Sequence, residues 1–374
     1  VNERSHFDLR AIAGQFQTQG DFIEAFPFGN GHINDTYQAR YRTAGGEEKY
    51  ILQRINHNVF KEPDKVMENI ERVTRYGREQ VLAAGGNPAR RMLSLVPTRV
   101  GASFHRDEAD NTWRVYDFVH GATLFETPPD LRVLYSAAKS FGEFQKLLAG
   151  LPGGRLHETI PNFHHTGKRF EAFQEAVQAD RANRAIQVKA DIDFILEREA
   201  DAAMVVDLLA SGRLPERVTH NDTKINNVLI DGESGEGLCV IDLDTVMPGS
   251  SLYDFGDMVR TGAASALEDE HNTALAGINM EHYIQLARGY ADAVRDMLVP
   301  LEWDLLAFAC KLITFEQAIR FLGDYLNQDV YYKIKRPNHN LDRARTQIKM
   351  VADMEANMGL MEAIVERCRL GIQR

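Results

Sequence analysis

Thr219-His220-Asn221-Asp222-Thr223-Lys224-Ile225-Asn226-Asn227, followed by Val240-Ile241-Asp242-Leu243-Asp244, decides how this chain reads. The first stretch sets an Asp five residues before an Asn. The second is an apolar run that ends in acids. A lone His-x-Asp says little, because the two residues meet often by chance. The full set, in this order, supplies one carboxylate able to take a hydroxyl proton and further hard oxygen donors suited to Mg²⁺. Transfer of a phosphoryl group to an alcohol needs that combination. The plainer alternative is a polar turn leading into an ordinary core strand whose acids cap the strand end.

The spacing H-x-D-x-x-x-x-N is that of the protein-kinase catalytic loop. No Ala-Pro-Glu follows, and Leu-Asp succeeds Asp242, so the activation segment of a protein kinase is not expected. The run from Val240 to Asp257 instead resembles the aminoglycoside phosphotransferase and choline kinase family, which phosphorylates small molecules. Within that family, GNGHINDTY (29–37), YILQRIN (50–56), WRVYDFVHG (113–121) and VTHNDTKINNVLID (218–231) resemble the N-acetylhexosamine 1-kinases of bacterial amino-sugar salvage. So do VIDLDTVMPGSSLYDFGDMVR (240–260), RFLGDYLNQDVYY (320–332) and HNLDRARTQIKMVADME (339–355), and the similarity runs from about Phe22 to about Met354. The resemblance implies an α+β, two-lobed protein-kinase-like fold with a small β-rich N-lobe and a larger, mostly helical C-lobe. It also implies ATP-dependent phosphorylation of the C1 hydroxyl of GlcNAc or GalNAc. Choice of C1 over C6 comes wholly from the resemblance.

Composition agrees with a soluble enzyme. At 374 residues the chain exceeds one ordinary hydrophobic core, which predicts two lobes. The formal charge of −11 argues against nucleic acid or an anionic membrane as partner. Cys239, Cys310 and Cys368 are widely spaced and fit buried thiols of a reducing compartment. No signal peptide or membrane-length apolar run is visible, so a cytoplasmic protein is expected, monomeric or weakly homo-oligomeric.

The pattern predicts a short capping helix within residues 1–20 and strands at 22–28, 36–41 and 50–55. A helix over 63–84 and two strands near 103–106 and 113–118 would complete the N-lobe (residues 1–120). Helical stripes then fill residues 121–374, at 131–148, 170–177, 192–209, 280–294 and 303–326. The acids near 242 should end a strand over 240–243.

Gly29-Asn30-Gly31 lies between the first two predicted strands, where glycines let backbone N–H groups approach the phosphates of ATP. Asp117 and Val119 would read adenine through main-chain groups. The strand that usually carries a phosphate-pairing Lys reads Ile51-Leu52-Gln53-Arg54. Alternation allows only one of Gln53 and Arg54 into the site. The helix partner is left open between Glu68 and Glu71.

Asp222 is the expected base, with Asn227 and Asp242 as Mg²⁺ ligands. Asp244 either binds a second Mg²⁺ or is structural. His220 is expected to pack beneath the loop and Lys224 to reach the γ-phosphate or stay solvated, and the resemblance implies that Asp254 braces the loop. The resemblance implies that His32, Arg320 and Tyr331 contact the sugar, although Glu316 and Asp324, four residues either side of Arg320, offer it ordinary helical ion pairs. His164-His165 shows no metal spacing and is assigned no chemistry. The rival readings are a kinase of the same fold acting on an aminoglycoside, choline, homoserine or another sugar, and a nucleotide-binding pseudokinase.

Overall fold

A computed structural model of the chain describes residues 7–29 and 33–372. Its tertiary contacts divide it into two compact units. The first takes Val1–Ala122, Gly150–Ile160 and Leu238–Met247; the second takes Thr123–Ala149, Pro161–Gly237 and Pro248–Arg374. The chain first passes from one unit to the other at Ala122/Thr123, and two later segments also join the first unit.

The first unit holds the predicted strands and helix in the predicted order. It runs α1 (Leu9–Ala13), β1 (Asp21–Pro27), β2 (Asp35–Thr43), β3 (Gly46–Arg54), α2 (Pro63–Ala83), α3 (Pro88–Arg91), β4 (His105–Arg106) and β5 (Thr112–Asp117). These strands form one sheet in the order β1-β2-β3-β5-β4, with every neighbouring pair antiparallel. Alternation gives the sheet two unlike faces. Ala39, Tyr41, Tyr50, Leu52, Trp113 and Val115 form one, buried against Ile12 and Ala13 of α1 and against Phe16. At about 1.5–3 kcal/mol for each large side chain removed from water, this face anchors the sheet. The pairings Thr36↔Gln53↔Arg114 and Gln38↔Ile51↔Tyr116 set a mostly polar row on the other face. In α2, Val66, Met67, Ile70 and Val73 recur three or four residues apart and are buried.

The second unit is mostly helical. Its helices are α4 (Leu131–Leu148), α5 (Thr166–Ala179), α6 (Lys189–Leu196), α7 (Glu199–Ala210), α8 (Ser251–Gly262), α9 (Met280–Val294), α10 (Pro300–Leu326), α11 (His339–Ala356) and α12 (Met358–Arg369). Short strands punctuate the chain at β6 (Ala122–Thr123), β7 (Arg217–Thr219), β8 (Val228–Asp231), β9 (Gly237–Val240) and β10 (Met247–Gly249). The stripe read over 192–209 is two helices, broken at Glu197-Arg198. There Arg198 turns back to donate to Phe194 O at 2.6 Å and to pair with Glu355 at 2.7 Å. α10 is buried on nearly every side. Its Phe315, Ile319 and Leu322 share a core with Phe170, Phe173, Ile192, Ile195 and Val351. α4 and α9 pack so closely that a Cβ on Gly289 would meet Tyr135 O at 2.2 Å, which only glycine permits. Among the described residues no helix is long and apolar enough to cross a membrane.

Candidate active site

β7 ends at Thr219, and the chain turns through His220 and Asn221 into a 3-10 turn at Ile225–Asn227. Asn221 has φ 65°, the left-handed region that asparagine tolerates better than most side chains. α8 holds this turn in place. Asp254, in its first turn and wholly buried, accepts the N–H of His220 at 2.9 Å and that of Asn221 at 2.7 Å. One helical turn on, Asp257 accepts the N–H of Thr223 at 2.9 Å and pairs with Arg260. Burial pushes the Asp254 carboxyl above the usual carboxylate range, against the pull of His220 and the two N–H donors. The Asp254-Phe255-Gly256 triplet is therefore helical, and its acid binds backbone.

The residue these bonds position is Asp222. Its Oδ1 pairs with Lys224 Nζ at 2.8 Å, and its Oδ2 accepts from Asn227 Nδ2 at 3.1 Å. Burial pushes the carboxyl up, but Lys224 and the Asn227 bond outweigh it and hold Asp222 below the ordinary carboxylate range. Asp222 in turn is the main cause of the raised Lys224 pKa. Lys224 is thus ion-paired while its side chain stays 44% exposed. His220 packs beneath the turn, its ring 5.4 Å from Phe141 and 6.0 Å from Phe144 of α4. The His164 ring, just before α5, bonds Asn221 O at 3.0 Å and Glu316 of α10 at 2.9 Å.

In the first unit, the strand expected over 240–243 stops at Val240. Asp242 adopts φ 60°, ψ 57°, and Leu243–Thr245 form a 3-10 turn, so Asp242 and Asp244 do not share a strand face. Asp244 is buried, and both its oxygens face the Arg114 guanidinium; Nη2 meets Oδ2 at 2.9 Å. Asn34 also donates to Asp244. Of the two roles considered for Asp244, these bonds favour the structural one. Gln53, cross-strand from Arg114, accepts from its Nε at 3.0 Å and its Nη2 at 2.8 Å. Arg54 lies on the other face, with Nε 2.8 Å from Asp35. Neither candidate glutamate on α2 serves as partner: Glu68 pairs with His157 at 2.8 Å and Glu71 with Arg75 at 3.4 Å. Met67 faces Arg114 instead, and Asn69 donates to Val246 O at 3.0 Å.

Asn227 commits its NH₂ to Asp222 and keeps its carbonyl oxygen as a hard donor, and in the first unit Asp242 carries a carboxylate. Both donors suit Mg²⁺. Among the described residues no group of three or more His, Cys, Asp or Glu could hold an ion. A cation carried largely by nucleotide phosphates needs only one or two protein carboxylates.

Gly29 has φ 76°, with open space where a Cβ would stand, so conformation alone favours glycine there. Asn30, Gly31 and His32 lie outside the described residues. Asp117 closes β5 and donates its N–H to Ser94 O at 3.0 Å, while Val119 is buried. In the second unit Arg320 and Tyr331 are brought together around Tyr332. The Arg320 guanidinium lies 5.6 Å from the Tyr332 ring and 5.8 Å from that of Phe163, and the two tyrosine rings are 4.8 Å apart. The helical ion pairs offered to Arg320 do not form. Glu316 is taken by His164 and Thr166, and Asp324 accepts the N–H groups of Val330, Tyr331 and Tyr332 at 3.0, 2.8 and 3.0 Å. Neither Arg320 nor its neighbour Arg169 forms an ion pair with a carboxylate among the described residues. Burial and the Arg320 charge depress the Arg169 pKa.

Residues 24–291 match the phosphotransferase enzyme family designated APH. This chain belongs to that family. Solved structures agree on its fold. An aminoglycoside phosphotransferase from Alicyclobacillus acidocaldarius superposes with a TM-score of 0.61 at 14% identity, covering 98% of this chain and 99% of its own. A choline/ethanolamine kinase family protein from Mesorhizobium loti gives 0.53 at 16%, covering 93% of each chain. An AMP-bound spectinomycin phosphotransferase gives 0.50 at 12%, covering 86% of this chain and 90% of its own. At these identities the likeness concerns the fold alone.

Two residues of this phosphotransferase escape a motif reading. Arg114 sits inside the quoted WRVYDFVHG, and a fully buried Arg between apolar neighbours in a strand signals a buried carboxylate partner. His164 lies far in sequence from both residues it bonds, so no spacing rule reveals it.

Proposed function

We propose that this chain transfers the γ-phosphoryl group of ATP to the C1 hydroxyl of an N-acetylhexosamine, giving the sugar 1-phosphate and ADP. The observation that carries the reaction type is Asp222, held ionised between Lys224 and Asn227 on a loop pinned by Asp254 and Asp257. The sugar hydroxyl oxygen forms its bond to the γ-phosphorus, the bond to the β–γ bridging oxygen breaks, and the hydroxyl proton passes to Asp222. A carboxylate held below its usual pKa is a weak base, which suits a loose transition state where orienting the nucleophile matters more than early proton removal. Mg²⁺ on Asn227 and Asp242 would neutralise charge on the phosphates. Gly29, Asn30, Gly31, Gln53, Asp117 and Val119 are the proposed nucleotide contacts, and His32, Arg320 and Tyr331 the sugar contacts.

The amino-sugar acceptor is supported by the seven stretches that resemble N-acetylhexosamine 1-kinases and by the chemistry around Arg320. Among the described residues Arg320 and Arg169 form no ion pair with a carboxylate, and the Tyr332 ring lies beside Arg320. Guanidinium and phenol groups suit the oxygens of a neutral, hydroxyl-rich ligand. The same guanidinium charges oppose a cationic acceptor such as choline or an aminoglycoside. A panel of GlcNAc, GalNAc, choline, homoserine and an aminoglycoside, with ADP release as readout, tests the class; phosphorus NMR of the sugar product tests the position. Anomeric phosphate is expected. Turnover of the amines without turnover of N-acetylhexosamines would overturn the acceptor while leaving the phosphotransferase.

A further inference from the structure

His164 takes no part in the chemistry described above, yet it is buried and bonded at both ring nitrogens. Its Nε2 faces Asn221 O at 3.0 Å, and a carbonyl oxygen can only accept, so Nε2 carries a hydrogen. Its Nδ1 faces Glu316 Oε1 at 2.9 Å, while Thr166 Oγ1 donates to the other oxygen, Oε2, at 2.7 Å. Without a proton between them, Nδ1 and Oε1 would set two lone pairs face to face. The pair therefore holds one proton more than a neutral imidazole beside an ionised carboxylate.

The geometry points to His164 as a positioning residue that works as an imidazolium. It clamps the carbonyl of the residue before Asp222, and Glu316 supplies the counter-charge. This rests on the reading of Asp222 as the base. Asn221 is the left-handed residue of the loop, with its N–H on Asp254 and its carbonyl on His164. Both ends of the strained position are thereby fixed, and the direction in which Asp222 leaves the turn is fixed with them. The charged and titratable groups around the pair are Glu316 and Arg320 on α10, Arg169 on α5, and Asp257 and Tyr253 on α8. Burial pulls the His164 pKa down, but Glu316, the Asn221 carbonyl and Asp257 raise it above the ordinary histidine value. Burial pushes Glu316 up, and His164 and Arg320 bring it below the ordinary value. The Nδ1–Glu316 bond that anchors the ring is complete below the ordinary histidine pKa of about 6.5 and is lost as pH rises through the folded value above it.

The test pairs a spectroscopic reading with kinetics on the full-length chain. Nitrogen-15 NMR of the histidine rings, followed upward from below the free-histidine pKa of about 6.5, should show His164 protonated at both nitrogens and losing its second proton only above that value. His164→Gln cannot donate in two opposite directions. It is expected to lower kcat by about 10- to 100-fold while KM for ATP stays within about 2-fold. Glu316→Gln leaves a neutral ring still donating from Nε2 to Asn221 O. It should recover most of kcat and remove the alkaline fall of the profile that belongs to this ring. A singly protonated ring in the wild type, or variants that lose thermal stability with kcat unchanged, would overturn the assignment. If His164→Gln fails to fold, the wild-type NMR and Glu316→Gln still decide. A wild type with no phosphotransfer at all would sink the reading of Asp222 and leave the ring's protonation readable.

Discussion

The two acid-bearing turns of this protein solve one problem by opposite means. Each carries its key acid at or beside a left-handed residue, Asn221 before Asp222 in one unit and Asp242 itself in the other. The 219–227 turn is held by its backbone: Asp254 and Asp257 of α8 accept three of its N–H groups. The 240–246 turn is held largely by a side chain, with Asp244 gripped by Arg114 of β5 and Asn34, and with Val246 O on Asn69 of α2. Backbone wiring tolerates changes of side chain within the turn. Ion-pair wiring concentrates the risk in one residue, because removing one partner strands the other charge in the interior.

The largest effect is expected inside the backbone-wired turn. Asp222→Asn keeps the shape and the Asn227 contact but cannot take a proton, so turnover should fall by about 10²- to 10⁴-fold. Nucleotide affinity, measured by calorimetry, should hardly move. Near-normal turnover would remove Asp222 from the reaction.

The other turn is tested through stability. Arg114→Met leaves Asp244 buried and unpaired, which should cost about 3–5 kcal/mol in denaturant unfolding. Adding Asp244→Leu removes the orphaned charge and should recover much of that loss. If the single variant unfolds like the wild type, the claim that a buried ion pair holds this turn is wrong.

The smallest effect concerns Lys224. Its charge lowers the Asp222 pKa, so Lys224→Met should raise that pKa and move the acid limb of kcat/KM to higher pH. In the wild type, the stability contributed by Asp222 is present above the unfolded value of about 3.9 and is lost as pH falls through the lower folded value. An acid limb that does not move on substitution would show that the pair seen here leaves Asp222 unchanged.

The first unit was legible because its segments announce themselves. Thr36–Tyr41 and Tyr50–Ile55 are rich in β-branched and aromatic residues between glycine-containing turns, and Val66, Ile70 and Val73 keep a three-to-four spacing. α8 escaped the reading although Asp254, Asp257 and Arg260 recur at helical spacing, because these polar residues are buried with nearly all of Ser251–Gly262 and bind neighbours in the fold. The spacing of Asp222 and Asn227 marked two side chains that the fold brings into contact, while the brace at Asp254 came from the family resemblance. The choice between Gln53 and Arg54 needed the register that sets Gln53 across from Arg114, and the ion pair of Arg114 with Asp244 spans 130 residues. Contacts of that reach come from topology, which local pattern does not encode.

The threading of the chain has a consequence for how such a molecule can be rearranged. Gly150–Ile160 and Leu238–Met247, with Asp242 in the latter, are assigned to the first unit although the second unit encloses them in sequence. An expression fragment ending at Ala122 would lack both. Neither half is a cassette that recombination at one crossover can exchange, so a chimera that swaps the sheet-bearing part has to carry three pieces of gene together.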